Sequence, residues 1–226
     1  MNKLMLLNSK LPNMISFKKN YYHFLKSVGV WVNGKFSWLN SKNWDLSPRQ
    51  ERGSALSIIV AFHKEWKIQI TILQEWKKDE NSMVYTFITK NQSSENMDIK
   101  FVVHQQRMIN TEKNIAFVSP SKQAIIHYGE RDLTLFAANF FQEKESQLSV
   151  GKKEQIWSEK EGKLALSPLC QEGHESMVVT RLQLAPWQET YGRMWEITGE
   201  SQEEVFFKHD KQIRSDQLRQ VTKQIL

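Results

Sequence analysis

Short runs in which apolar and polar residues alternate recur along almost the whole sequence, with polar segments between them. In one of these runs, Ile68, Ile70 and Ile72 alternate with Gln69 and Thr71. A period of two residues is typical of a β-strand with one buried face. The runs follow one another at intervals of about 8–12 residues, which is the pattern of a sandwich or barrel. The sequence therefore predicts a mainly β protein, built as a large antiparallel β-sandwich.

The first two runs form the clearest pair. Residues 21–32 are rich in aromatic residues and valine, Asn33-Gly34 follows, and residues 35–39 form the next run. Asn-Gly between two such runs predicts a hairpin, because both residues tolerate the positive φ of a type I′ turn. We expect a polar loop over residues 140–151 and further strands at residues 55–62, 66–75, 83–89, 97–103, 115–118, 124–128, 133–136, 155–157, 163–166, 177–184 and 193–197.

The end of the chain has a different pattern. Ser201 precedes three polar residues and is suited to be an N-cap. Residues 210–225 contain neither Gly nor Pro and place Ile213, Leu218, Val221 and Ile225 near one helical face. We predict a sandwich domain over residues 1–200 and a C-terminal amphipathic helical segment over residues 201–226 that packs on it. Docking of this helix on a partner is the alternative.

Composition limits the class of protein. Among 226 residues, 40% are hydrophobic and 25% are charged, so intrinsic disorder is not expected. A single cysteine, Cys170, excludes an internal disulfide and favours a reducing, cytoplasmic location. No apolar run approaches the roughly 18 residues of a membrane helix, so no membrane association is expected. The net charge is +6, but the lysines are scattered, so no nucleic-acid partner is expected.

Local motifs for catalysis are absent from the sequence. There is no glycine-rich phosphate loop, no Cys/His spacing for zinc and no Gly-x-Ser-x-Gly elbow. Cys170 and His174 lie close in sequence, but an incidental thiol beside a turn is the favoured interpretation. We therefore predict no catalytic residue, no cofactor and no metal. Carboxylates such as Glu159 and Glu161 leave open a dispersed hydrolase site.

Tryptophan and histidine supply the candidate ligand-binding residues. Trp38 and Trp44 lie close in sequence, and Asp45 and Arg49 accompany Trp44 in a polar segment. An exposed indole can stack on a sugar ring while neighbouring polar groups bind hydroxyls, although most tryptophans fill cores. His104 and His127 each end an apolar run, and they would line one surface if their strands pair. The candidate ligand-binding residues are Trp38, Trp44, Asp45, Arg49, His104 and His127.

Two segments carry a family resemblance. Residues 97–105 (MDIKFVVHQ) and 114–129 (NIAFVSPSKQAIIHYG) resemble the N-terminal β-sandwich of bacterial glucoamylase-type family 15 glycoside hydrolases. In that family a super-sandwich is followed by a helical linker and an α/α barrel that contains the two catalytic glutamates. This sequence ends where the barrel would begin, so the resemblance implies a stand-alone, non-catalytic relative and transfers no catalytic residue.

These observations leave three functions open. The first is a non-catalytic sandwich that binds a carbohydrate-like ligand or a protein partner, with homo-oligomerisation possible. The second is a hydrolase that acts on glycans through dispersed carboxylates. The third is an assembly module that uses the C-terminal helix.

Overall fold

The computed structural model of the protein describes residues 24–50, 56–108, 114–130, 132–140 and 146–225, with all their side chains except those of residues 50 and 218–225. Within these ranges the elements in chain order are β1 (Phe24–Val32), β2 (Lys35–Trp38), β3 (Trp44–Gln50), β4 (Leu56–His63), β5 (Ile68–Lys77), β6 (Ser82–Asn91), β7 (Met97–Arg107), β8 (Ile115–Ser119), β9 (Ala124–Tyr128), β10 (Leu133–Phe140), β11 (Gln147–Val150), α1 (Lys153–Ile156), β12 (Trp157–Ser158), β13 (Lys163–Leu164), β14 (Leu169–Gln171), β15 (Glu175–Leu184), β16 (Glu189–Gly199) and α2 (Gln202–Ile225).

Two antiparallel sheets form the sandwich. The five-stranded sheet has the order β11-β15-β7-β1-β2, and the nine-stranded sheet has the order β14-β8-β9-β10-β16-β6-β5-β4-β3. β12 and β13 form a separate two-stranded ribbon. The predicted fold class, a mainly β antiparallel sandwich with a C-terminal helix, is confirmed.

Alternating side chains from both sheets fill the space between them. Ile68, Ile70 and Ile72 of β5 are buried in this core, as their spacing predicts. Phe87 of the nine-stranded sheet meets Phe101 of the five-stranded sheet edge to face, with ring centroids 4.9 Å apart. Aromatic pairs of this geometry contribute about 0.5–1.5 kcal/mol beyond their area burial. The core therefore joins the sheets through large side chains.

One ion pair also crosses the core. Lys26 of β1 pairs with Glu196 of β16, and both side chains are buried. The Lys26 ammonium also lies 5.2 Å from the ring centroid of Tyr85 and 5.4 Å from that of Phe136. A buried charge is costly without such partners. This pair therefore links the two sheets at a defined position.

Each sheet has a covered outer face. On the five-stranded sheet, Ile156 and Trp157 pack against Val102, Met177 and Val179. On the nine-stranded sheet, α2 packs on β10 and β16, and Val205 joins a cluster with Trp195 and Ile197. No helix in the described part combines the length and apolar composition needed to cross a membrane.

Local turn and cap signals are confirmed. Asn33 and Gly34 have φ values of 48° and 82°, and they connect β1 to β2 as the Asn-Gly dipeptide predicts. Ser201 Oγ accepts a hydrogen bond from the Glu204 backbone N–H at 3.2 Å. Residues 21–23 of the predicted first strand lie outside the described residues.

Several boundaries differ from the prediction. β3 lies in a segment predicted to be a polar connection. The sequence pattern does not predict this strand, because β3 is an exposed edge strand with little alternation and contains Pro48, which edge strands tolerate. β11 lies within the predicted loop over 140–151. Residues 153–156 form a helical turn where a strand over 155–157 is predicted. The amphipathic run over residues 210–225 forms only the later part of α2, which begins at Gln202, directly after the expected N-cap Ser201.

Candidate functional site

Strand register brings a row of polar and aromatic side chains together on the outer face of the five-stranded sheet. Arg181 of β15 is opposite Lys100 of β7, Lys100 is opposite Trp31 of β1, and Trp31 is opposite Phe36 of β2. Residues that face each other across antiparallel strands project to the same side of the sheet. The four residues therefore share one face, although they come from distant parts of the sequence.

A groove of about 420 Å³ lies along this row. Its lining combines an indole, two cations, a carboxylate, an amide and an apolar side chain, contributed by Trp31, Lys100, Arg181, Asp98, Gln147 and Val179. We call these six residues the Trp31 groove. Ligand sites commonly combine an apolar surface with a few polar groups of fixed orientation. The Trp31 groove is small, but it combines an apolar surface with polar groups in the same way.

Asp98 and Arg181 form the polar side of the groove. Arg181 Nε lies 2.8 Å from Asp98 Oδ1 and 3.0 Å from Oδ2, and Arg181 Nη2 also donates to Oδ2. These hydrogen bonds lower the pKa of the Asp98 carboxyl, so it is ionised at neutral pH. Their side chains remain 47% and 57% exposed. The paired planar groups are thus fixed in orientation and still accessible to hydroxyl groups.

Trp31 forms the aromatic side and is held from several directions. Its Nε1 donates to the Glu159 backbone carbonyl at 3.1 Å. Lys100 Nζ lies 4.8 Å from the indole centroid and donates to the Gly162 carbonyl at 2.6 Å. Gly162 has a φ of 60°, and a Cβ atom there would overlap the indole. The turn between β12 and β13 therefore fixes the position of the ring.

The predicted residues Trp38 and His104 lie on the same sheet face, next to the groove. Trp38 Nε1 donates to Glu159 Oε1 at 3.2 Å, and the rings of Trp38 and His104 are 6.3 Å apart. His104 Nε2 lies 2.8 Å from Glu175 Oε2, and this hydrogen bond lowers the pKa of Glu175. The same carboxylate oxygen accepts the Lys153 backbone N–H at 3.0 Å. His104 and Glu175 thus attach α1 to the sheet.

The structure places Trp44, Asp45 and Arg49 elsewhere, on β3 at the far edge of the nine-stranded sheet. Trp44 is only 5% exposed and donates to Ser37 Oγ at 3.0 Å, so its ring offers no face to a ligand. Asp45 pairs with Lys64 at 2.9 Å, and Arg49 is exposed. These three residues are therefore separate from the Trp31 groove.

His127 lies inside the sandwich, and its strand β9 is in the other sheet from the strand of His104. Its Nε2 is 3.0 Å from Ser176 Oγ, and its Nδ1 is 3.3 Å from the Gly173 carbonyl. Burial lowers the pKa of His127 to about 3. The strands of His104 and His127 do not pair with each other. The two histidines therefore do not line one surface, as they would if their strands were paired.

Cys170 lies in β14, and His174 follows in the connection between β14 and β15. Burial raises the pKa of the Cys170 thiol, which keeps it protonated at neutral pH. His174 Nδ1 lies 3.1 Å from Asn114 Nδ2. In the part of the chain that the structure describes, no group of three or more His, Cys, Asp or Glu side chains is placed to bind a metal ion.

Sequence reasoning missed most of the Trp31 groove. In the sequence, Trp31 stands out only as part of the aromatic-rich run over residues 21–32, and no local pattern singles out Asp98, Lys100, Gln147 or Arg181. The available signal was the alternation of β7 and β15, which leaves Asp98, Lys100 and Arg181 on a polar face. The register that brings these residues together is not encoded within either strand alone.

Comparison with known proteins identifies the fold only. No protein-family model and no curated protein sequence matches the chain. A bacterial glucoamylase solved in complex with acarbose superposes with a TM-score of 0.64 at 12% identity, covering 83% of this chain and 28% of the glucoamylase. A polysaccharide lyase gives a TM-score of 0.48 at 11% identity, over 85% of this chain and 28% of the lyase.

The chain thus spans little more than a quarter of the length of these two proteins. The lyase superposition is too weak to support an argument, and the glucoamylase superposition supports the fold. The predicted distant resemblance to the sandwich domain of glucoamylase-type hydrolases is confirmed at this level: the protein is a β-sandwich similar in fold to part of a bacterial glucoamylase.

Proposed function

We propose that the protein binds a carbohydrate in the Trp31 groove and does not cleave it. The observation that carries this proposal is the partly buried Trp31 indole beside the accessible Asp98–Arg181 pair. A sugar ring has apolar C–H faces and a rim of hydroxyl groups, so it can contact an indole and form charge-assisted hydrogen bonds at the same time. The fold shared with a glucoamylase that was solved with acarbose is consistent with such a ligand.

The charges favour an uncharged sugar. Asp98 and Arg181 neutralise each other, and Lys100 already donates to Gly162 and contacts the Trp31 ring. A uronic acid or a sulfated sugar would compete with Asp98 for Arg181. We therefore propose a neutral hexose as the ligand class.

The carboxylates at the groove favour binding over hydrolysis. Most glycosidases use two carboxyl groups that flank the scissile bond, one of them with a raised pKa so that it can donate a proton. Among the residues that line the Trp31 groove, Asp98 is the only carboxylate, and its pKa is lowered. Asp98 therefore suits hydrogen bonding to hydroxyls and not general acid catalysis.

A glycan array followed by tryptophan-fluorescence titration of the hits tests this proposal. We expect neutral hexose glycans to bind, and we expect Trp31→Ala and Arg181→Ala each to weaken binding by about tenfold or more. Arg49→Ala is the matched control, because it removes an exposed arginine from the opposite sheet. Arg181 is also exposed, so its substitution leaves the core intact.

Three results would contradict the proposal. They are a clean negative across the array, binding only by acidic glycans, and equal affinity of the Arg181→Ala and Arg49→Ala variants. A clean negative would move attention to a protein partner.

A further inference from the structure

A second groove adjoins the Trp31 groove at the end of the same two strands. It also measures about 420 Å³, and its lining comes from the start of β7, the end of β15 and the turn after β15: Asn96, Met97, Asp98, Gln183, Leu184, Ala185 and Gln188. Asp98 lines both grooves. Gln183 is opposite Asp98 in the strand register, so its side chain continues the polar row beyond Arg181. The two grooves are therefore neighbouring parts of one surface.

The turn that contributes Ala185 and Gln188 to this second groove also carries an exposed tryptophan. Trp187 lies between Ala185 and Gln188, is 64% exposed and has a φ of 63°. For a bulky side chain this left-handed backbone is unfavourable, by an amount on the order of 1–2 kcal/mol. At this exposure the indole buries little apolar surface on folding. Five other non-glycine residues of the described chain also have a positive φ, so the exposure of its indole, and not the backbone alone, distinguishes Trp187.

Hydrogen bonds hold the turn in this conformation. Gln188 N–H donates to the Ala185 carbonyl at 3.1 Å, and the Gln188 side-chain oxygen accepts from Ala185 N–H at 2.8 Å. Asn91, which is buried, donates from its side chain to the Ala185 carbonyl at 3.0 Å and from its backbone to the Gln188 carbonyl at 2.9 Å. Trp187 is thus presented on a rigid turn.

We infer that the protein binds a chain of neutral hexose units that extends from Trp31, past Asp98, to the Trp187 turn. This inference rests on the proposed function and specifies its ligand as an oligosaccharide. The second groove offers amide groups from Asn96, Gln183 and Gln188, which suit uncharged hydroxyls. Lys100 and Asp98 are two residues apart along β7, a distance of about 6–7 Å. The turn that carries Trp187 lies beyond Asp98, so the whole surface from Lys100 to this turn is longer than one sugar ring.

Calorimetric titration with glucose oligomers of one, two, four and six units, in the α-1,4 and β-1,4 series, tests the inference. We expect at least one series to gain about tenfold in affinity or more between two and six units. Trp187→Gly should remove this gain while leaving the affinity of the two-unit oligomer unchanged. Glycine suits the positive φ, so this variant keeps or raises the unfolding temperature and its loss of binding is not a loss of folding.

The outcomes separate the inference from the proposed function. Equal affinity for all lengths, or a length-dependent gain that persists in Trp187→Gly, would overturn the inference while the proposed function stands if Trp31→Ala still weakens binding. Absence of binding by every oligomer in both series would contradict the proposed function, and the inference would fall with it. Loss of two-unit binding in Trp187→Gly would also overturn the inference, because it would place the first sugar at Trp187.

Discussion

His127 is a histidine that the fold keeps neutral. It lies between the sheets with Phe24 and Phe136 edge-on to its ring, at centroid distances of 4.7 and 5.6 Å. Burial disfavours the imidazolium ion, so the pKa falls from the ordinary value of 6.5 to about 3. In the unfolded chain this histidine has its ordinary pKa. Because the pKa differs between the two states, the free energy of unfolding depends on pH.

We predict that His127 makes the protein less stable in acid. Between pH 6.5 and about 3, the unfolded chain binds a proton at this residue and the folded chain does not. The free energy of unfolding therefore falls as the pH is lowered through this window, by at most about 1.4 kcal/mol per pH unit from this residue. Above pH 7 the residue is neutral in both states and contributes no pH dependence.

Urea unfolding of the wild type and of His127→Gln at several pH values measures this effect. The glutamine is polar but does not titrate, so the variant should lose stability less steeply below pH 6.5, whatever its stability at pH 7. His209, whose pKa burial also lowers, keeps its contribution in both proteins. Parallel curves of unfolding free energy against pH would contradict the prediction.

The ribbon formed by β12 and β13 holds the Trp31 side chain of the groove in place. Its turn places Gly162 against the Trp31 indole, and Gly162 has a left-handed backbone. Gly34, in the turn between β1 and β2, also has a positive φ, but an added Cβ atom there would meet nothing within 4 Å. Substitution of Gly34 therefore introduces backbone strain alone, whereas substitution of Gly162 introduces backbone strain and steric overlap with the Trp31 ring.

We predict that Gly162→Ala destabilises the protein more than Gly34→Ala does. Both substitutions incur a backbone cost of roughly 1 kcal/mol, and Gly162→Ala adds about 1–3 kcal/mol because the new methyl group overlaps Trp31. Chemical unfolding of the two variants measures the difference. Gly162→Ala should also shift the intrinsic fluorescence, because it displaces an indole. Equal losses of stability would show that the ring does not contact this turn as described.

Helix α2 contributes to stability through one face. Val205 is fully buried on the nine-stranded sheet, whereas Phe207, two residues later, is 73% exposed. We predict that Val205→Ala lowers the free energy of unfolding by about 2 kcal/mol and that Phe207→Ala changes it by less than about 0.5 kcal/mol. Thermal or urea unfolding tests this. A larger effect at Phe207 than at Val205 would contradict the described packing.

At the scale of the whole molecule, local sequence signals predicted the fold well. Alternation in β5 and β15 identified buried faces, because burial on one side of a sheet requires a period of two residues. Asn33-Gly34 identified a hairpin, because its backbone preference is local. β3 lacked such a signal because it is an exposed edge strand. α1 also lacked one, since it consists of only four residues and its first N–H is bound by the distant carboxylate of Glu175.

The candidate site was harder to predict because it depends on strand register. Asp98 and Arg181 are 83 positions apart, and they meet only because β7 pairs with β15 in one register. Of the candidate ligand-binding residues, Trp38 and His104 lie beside the Trp31 groove, with the His104 side chain buried beneath α1, while Trp44 and His127 are buried elsewhere. Sequence alone cannot distinguish these outcomes, since an indole or imidazole suits both a core and a surface.

The indole N–H signals of the eight tryptophans test the central claim most directly. We would record two-dimensional ¹H–¹⁵N NMR spectra during titration with maltohexaose and with cellohexaose, assigning the signals by single substitutions. Carbohydrate binding in the Trp31 groove predicts a saturable shift of the Trp31 signal with at least one oligomer, while the buried Trp44 signal stays in place. An unchanged Trp31 signal with both oligomers, or shifts confined to tryptophans of the nine-stranded sheet, would contradict it.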